Sequence, residues 1–230
     1  METVSRPVMA SVHERLPFRC FDLSGASVHD RAMIPLTLPN RLILIRHGET
    51  DWNREGRLQG SQDIPLNELG RSQAAEAAGR LRDLVPGYAG LDYVVSPMAR
   101  ARETMSIIGG ELGMAPDAAR VENELRELTF GKWEGKTWRE LRKEDRELAQ
   151  ARERDKWGYV PPEGESYRML AERIRPVLAG FQRETVMVSH GGVARAVLAL
   201  VGAVSPQKAA LVDIWQGKIL VVKGNQADWV

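Results

Sequence analysis

A chain of 230 residues has the size of one domain with room for a tail, and two full enzyme domains would be cramped. With 43% hydrophobic and 27% charged residues it falls in the globular range, which excludes fibrous and disordered classes for most of its length. Lys and Arg number 32 against 31 Asp and Glu, a formal charge of +1, so no global basic field recruits nucleic acid and any positive potential must be local.

Residues 1–40 carry balanced charges without sustained periodicity and read as a disordered N-terminal extension, with the domain spanning 41–230. Translation from Met33 is an equal reading of the same segment. The extension holds Cys20, the one cysteine, so no intrachain disulfide forms and a reducing cytoplasm fits. The run Leu42-Ile43-Leu44-Ile45 then suits a strand buried on both faces of a parallel sheet, and Tyr93-Val94-Val95 and Val186-Met187-Val188 have the same character. Helical patterns separate them, which predicts α/β. Asn67 is placed to cap a helix carrying Leu69, Ala74, Ala77, Leu81 and Leu84, stopped by Pro86-Gly87. Ser96-Pro97 predicts a cap and first-turn proline for a helix ending near Gly109-Gly110. Between 139 and 156, 13 of 18 residues are charged, seven basic and six acidic, the composition of a solvated helical face. A further helix carries Tyr167, Leu170, Ile174, Val177 and Phe181, bent at Pro176. The apolar stretch 193–204 is interrupted by Arg195 and falls short of the ~20 residues that cross a bilayer, so no membrane association is expected. Residues 211–215 and 218–222 flank Gln216-Gly217 as a closing hairpin, and apolar strands at a sheet edge would suit a homodimer.

Two of the four histidines each follow a buried strand and precede glycine: Arg46-His47-Gly48 and Ser189-His190-Gly191. In an open parallel sheet ligands sit beyond the carboxyl ends of the strands, where both imidazoles fall. A buried histidine bonded to a backbone carbonyl accounts for either one alone, but less readily for the pair. Arg46 adjoins the first histidine. Arg100 lies on the first turns of the helix after Ser96-Pro97, where free N–H groups and the helix dipole favour an anion. Guanidinium forks match phosphate oxygens, so a phosphoryl group meets these demands together. Arg102 points elsewhere, as an exposed ion-pair partner. The segment 131–137 has three residues between its glycines where a P-loop needs four, which argues against nucleotide binding there. Trp52, Trp133 and Trp138 are candidates for a pocket border or, more ordinarily, packing anchors. Residues 156–159 would suit a lid.

Arg46-His47-Gly48-Glu49-Thr50 resembles the signature of the histidine phosphatases, the phosphoglycerate mutase-like superfamily. Trp52-Asn53, Gln59-Gly60, Ser96-Pro97 with Arg100, Glu127 before Phe130-Gly131, Trp133-Glu134-Gly135, Gly164-Glu165-Ser166 and Ser189-His190-Gly191 are similar to that family's blocks, in its order. The resemblance covers the chain after Arg41. It implies a three-layer α/β sandwich whose mostly parallel central sheet is flanked by helices. It further implies that His47 attacks phosphorus and becomes phosphohistidine, that Arg46, Arg100 and His190 hold the equatorial oxygens, and that Asn53, Gln59, Gly60 and Gly191 contribute to phosphoryl binding. Glu127 would protonate the leaving alkoxide and then activate water; pairing with Arg126 or Arg100 is its plain structural alternative. No metal and no cofactor is implied, and the substrate would be a small phosphorylated metabolite. Only 63 residues separate Glu127 from His190, where the family's mutases carry a longer segment with extra basic residues, so hydrolysis is favoured over phosphotransfer. An inactive module that binds phosphorylated ligands would need neither nucleophile nor acid, yet both are present.

Overall fold

Aliphatic runs without alternation form the central strands here because helices cover both faces of the sheet. The computed structural model describes residues 33–230. In chain order the elements are β1 (Leu42–Arg46), α1 (Asp51–Arg54), α2 (Glu68–Leu84), β2 (Asp92–Val95), α3 (Ala99–Glu111), β3 (Ala119–Val121), α4 (Trp138–Glu144), α5 (Arg146–Arg154), α6 (Tyr167–Ala179), β4 (Thr185–Ser189), α7 (Gly191–Leu200), α8 (Pro206–Ala209), β5 (Ile219–Lys223) and β6 (Gln226–Trp229). The sheet order is β3-β2-β4-β1-β5-β6. Its first four strands are mutually parallel, and β5 and β6 are antiparallel additions. Alternate residues of β1 go to opposite cores. Leu42 and Leu44 pack with α6 and α7, whereas Ile43 and Ile45 pack with Ala77, Ala78 and Leu81 of α2 and Met105 and Ile108 of α3. The expected α/β sandwich is therefore the fold, and each buried aliphatic side chain contributes ~1.5–3 kcal/mol of transfer free energy.

Several local expectations give way to tertiary context. Asn67 does cap α2, its side chain accepting from Gly70 N–H, but Leu69 is 51% exposed and lies off the buried stripe. Helix α3 begins at Ala99, two residues beyond Pro97. Ser96 does not cap it: the N-cap position is Met98, and the Ser96 hydroxyl lies 2.7 Å from His190 Nε2. The charged segment forms two helices, α4 and α5, meeting at Asp145. Its Arg152 is only 8% exposed and lies over the Trp138 ring at 4.4 Å, so one face of the segment is packed and not solvated. The closing hairpin is β5 with β6, turning at Gly224; residues 211–215 form a loop instead. Residues 156–159 are packed in place, Trp157 stacked on Tyr167 at 6.0 Å and Tyr159 on Trp133 at 5.6 Å, which leaves no lid there. Of the extension, residues 1–32, with Cys20, lie outside the described residues. Residues 33–40 lie against the domain, with Leu36 N–H donating to Leu200 O at 2.6 Å and Leu38 buried.

Candidate active site

Parallel pairing of β1 with β4 aligns Arg46 with Ser189 and so places the next residue of each strand, His47 and His190, side by side. His47 N–H continues the ladder to Ser189 O at 2.9 Å, and the two rings stand 5.2 Å apart, centroid to centroid. Both side chains are fully enclosed. Burial first, then the charges of Arg100 and Arg46, hold the His47 imidazole far below its ordinary pKa; burial, Arg100 and His47 do the same for His190. Both rings are therefore neutral near pH 7. His47 Nδ1 lies 2.7 Å from its neighbour's carbonyl, Gly48 O, which fixes the proton on Nδ1. Nε2 keeps its lone pair and accepts from Arg100 Nε at 3.3 Å.

Arg100 is 1% exposed and is anchored before any ligand arrives, Nη1 donating to Gln62 O at 2.7 Å and Nη2 to Gly60 O at 3.1 Å. Gly60 adopts φ +53°, and a Cβ there would stand 2.0 Å from Glu134 Oε1. Glu134 in turn receives hydrogen bonds from Ser61, Gln62, Thr129 and Phe130, stapling the 59–62 loop to the 129–134 segment. Burial alone would raise its pKa, but these donors, led by Ser61, keep the carboxyl below its ordinary value. The N-terminus of α3, expected to face an anion, is occupied by Asp63, which accepts from Ala99 N–H at 2.9 Å. The helix start that reaches the cavity is instead that of α7, through Gly191 and Gly192.

The remaining residues close a cavity of about 150 Å³ that His47 helps to line. Arg46 donates Nη1 to Ile214 O at 2.7 Å, while its buried Nε has no partner among the described residues; burial and then the Arg195 charge lower its pKa to about 10. Asn53 uses its side-chain oxygen on Thr50 in a capping box, which leaves the amide NH₂ on the cavity wall. Gln59 Oε1 is buried without a partner among the described residues, and a half-turn of that amide presents donors in its place. Glu127 lines the cavity and accepts from Leu128 N–H and from Gly192 N–H, both at 3.0 Å. Among the described residues it forms no ion pair with Arg126, which pairs with Glu124, nor with Arg100. A Cβ on Gly192 would stand 2.2 Å from Glu127 Oε1, so only glycine admits the carboxylate. His190 Nε2 meets Ser96 Oγ at 2.7 Å, and its Nδ1 is buried without a partner among the described residues.

All nine residues singled out from the sequence thus fall in or against one cavity. Arg102 is exposed outside it, and Trp52, Trp133 and Trp138 do not line it. Sequence reasoning passed over Ser96 as a partner of His190, the stapling Glu134, and Arg57, Tyr167 and Arg195 on the cavity wall. Arg195 did carry a signal, as the one charge in an apolar stretch of α7.

Comparison with known proteins agrees with this geometry. The sequence model of the histidine phosphatase superfamily (branch 1) matches residues 42–230. A glucosyl-3-phosphoglycerate phosphatase from Mycobacterium tuberculosis is 35% identical over 172 residues, which cover 69% of this chain and 74% of the relative. A 2,3-bisphosphoglycerate-dependent phosphoglycerate mutase from Parvibaculum lavamentivorans is 31% identical over 209 residues, covering 80% and 90%. The solved structure of a mycobacterial glucosyl-3-phosphoglycerate phosphatase superposes with a TM-score of 0.67 at 28% identity, covering 83% of this chain and 96% of that one.

Proposed function

The chain belongs to the histidine phosphatase superfamily and is a phosphatase of that family, and from this premise we propose the part each residue plays in hydrolysing a small phosphomonoester. His47 Nε2 attacks phosphorus, forming a P–N bond as the P–O ester bond breaks, and Glu127 delivers its proton to the departing alkoxide. Water then attacks the phosphohistidine, Glu127 takes its proton, the P–N bond breaks, and inorganic phosphate leaves. Arg46, Arg100 and His190 hold the three equatorial oxygens, aided by the Asn53 and Gln59 amides and the backbone around Gly60 and Gly191. Such donors are each typically worth ~3 kcal/mol when their positions are fixed beforehand. The observation that carries this reading is the His47 ring: Nδ1 is bound to Gly48 O, which leaves the lone pair on Nε2, beside Arg100 Nε in a ring that lines the cavity.

Metal independence follows from the chemistry of the donor set, since fixed guanidiniums supply the charge a cation would otherwise bring. The relatives suggest a glucosylated or simple phosphoglycerate among the substrates to be tried. A soluble, cytoplasmic enzyme without nucleic-acid or membrane partners fits the near-zero charge. Every residue assigned a role comes from one chain, so a homodimer through the β6 edge would leave the site complete.

The decisive assay compares release of inorganic phosphate from a panel of phosphomonoesters with interconversion of 3- and 2-phosphoglycerate. Hydrolysis should dominate, survive EDTA, be inhibited by vanadate, and fall about 10⁴-fold or more in His47→Ala. Dominant interconversion would make the chain a mutase, and loss of turnover in EDTA would overturn metal independence.

A further inference from the structure

The nucleophile sits at a turn that helices α2 and α3 grip from outside. Two consecutive backbone amides of that turn end on side chains: Gly48 N–H donates to Thr104 Oγ1 at 3.1 Å and Glu49 N–H to Gln73 Oε1 at 2.8 Å. A backbone N–H meets only acceptors, so the oxygen of the Gln73 amide is the atom that faces it. The backbones are in contact as well. A Cβ on Gly48 would stand 2.1 Å from Gly70 O, and one on Gly70 2.1 Å from Glu49 O, so the start of α2 presses the 48–49 backbone into one position. Gln73, one turn beyond Gly70, is half-buried, and its stem is covered by Gly217, where a Cβ would stand 3.3 Å from Gln73 Cβ.

The peptide that Gln73 holds is the one that holds the nucleophile. The N–H of Glu49 and the C=O of Gly48 belong to one planar trans peptide and point to opposite sides of it. That carbonyl accepts His47 Nδ1–H at 2.7 Å. Gln73 Oε1, the Gly48–Glu49 peptide and the His47 ring thus form one chain of hydrogen bonds that leads to the Nε2 lone pair, each bond polarising the next. The ring gains positive charge as its Nε2 bonds to phosphorus, and the Nδ1–H···O bond strengthens with it. A carboxylate on the far nitrogen of a catalytic histidine acts in the same sense, by holding the tautomer and favouring the imidazolium. Here a neutral peptide takes that place, and a second neutral amide orients it.

We propose that Gln73 is a positioning residue for the nucleophile: acting through the Gly48–Glu49 peptide, it holds His47 in the Nδ1–H tautomer and favours the positive ring that forms when Nε2 bonds to phosphorus. This rests on the phosphatase reading of the cavity and adds a residue that does not line it. No proton crosses the chain of bonds: Nδ1 keeps its hydrogen while the ester oxygen departs with the bonding pair and takes a proton from Glu127. The contribution is therefore larger in the transition state than in the ground state, so it falls on the rate of phosphoryl transfer and not on the affinity for a phosphate anion.

The test reads three quantities on the full chain: kcat/KM for p-nitrophenyl phosphate, the dissociation constant of inorganic phosphate, and the ¹H resonance of His47 Nδ1–H. Gln73→Met, which keeps the shape and loses the acceptor, should lower kcat/KM about tenfold, leave phosphate affinity unchanged and move the Nδ1–H resonance upfield. Gln73→Glu keeps an acceptor, so it should retain the rate and move the resonance downfield, and this opposite sign serves even if the methionine variant fails to fold. Thr104→Val orphans Gly48 N–H, which lies in the preceding peptide, and should leave the resonance in place. Resonances that stay put in both Gln73 variants overturn the proposal. So does an equal loss of rate and phosphate affinity in Gln73→Met and Thr104→Val, which would reduce Gln73 to a tie on the turn. No turnover in wild type would defeat the phosphatase reading and the rate effect with it, while the resonances would still judge the tautomer claim on their own.

Discussion

The Ser96 hydroxyl accepts Met98 N–H at 3.4 Å and lies 2.7 Å from His190 Nε2, so its proton is free to go to that nitrogen. A neutral imidazole that accepts at Nε2 must carry its hydrogen at Nδ1, the atom buried without a partner. In the proposed mechanism Ser96 is thereby a positioning residue, leaving His190 Nδ1–H as the donor to a phosphoryl oxygen. Ser96→Ala should lower kcat about tenfold, one hydrogen bond's worth, and should move the ¹⁵N resonances of His190 away from a pure Nδ1–H tautomer. Unchanged resonances with unchanged kcat would remove that role. The sequence reading singled out His47, His190, Arg46 and Arg100 because both histidines follow buried strands, Arg46 adjoins one of them and Arg100 lies on the first turn of a helix that follows a strand. It missed the role of Ser96 because serine before proline has an ordinary explanation as a helix cap, and only the partner across 94 positions reveals the other use.

At the scale of elements, strands β1, β2 and β4 were legible as unbroken apolar runs buried on both faces, and helices α2 and α6 as apolar stripes that burial of one face repeats along the chain. The C-terminal hairpin was not. Residues 211–215 have strand-like composition, but Val212 O and Ile214 O are drawn to Arg195 and Arg46, and those hydrogen bonds hold the segment as a loop over the cavity. The junction of β4 with α7 is the most constrained of these elements, since Glu127 packs against the helix start at Gly192. Gly192→Ala should displace the Glu127 carboxylate, lowering kcat for poor leaving groups by at least tenfold while affecting an activated ester such as p-nitrophenyl phosphate much less, because that leaving group needs little protonation. Equal loss on both esters would mean that Glu127 is not the acid.

For the whole molecule, two imidazoles kept neutral inside the fold make stability depend on pH. Their folded pKa values lie well below the unfolded value of about 6.5, so below that pH the unfolded chain binds protons that the native state refuses. Stability is therefore full above about pH 6.5 and declines as the pH drops, by up to ~2.7 kcal/mol per unit for the pair, until the native rings themselves titrate. Urea midpoints measured from pH 8 to pH 5 should fall accordingly, and His47→Gln with His190→Gln should flatten the profile. A flat profile in wild type would mean that the rings are not held neutral. In the proposed mechanism the same neutrality would keep His47 competent as a nucleophile below pH 6.5. At this scale the sandwich and the meeting of distant motifs were readable, because an ordered series of blocks from 46 to 191 constrains one topology. The fate of the charged segment was not, because only tertiary packing tells Arg152 from its solvated neighbours.

The central claim is that His47 Nε2 carries the phosphoryl group between ester and water. Mixing enzyme with excess phosphomonoester, quenching within milliseconds under non-acidic conditions and sequencing the peptides by tandem mass spectrometry reads it directly. The account predicts one labelled residue, His47, with the label absent from His47→Ala and accumulating in a Glu127→Gln variant whose second step is slowed. Label on any other side chain, or rapid hydrolysis with no labelled enzyme at any time point in either protein, would contradict it.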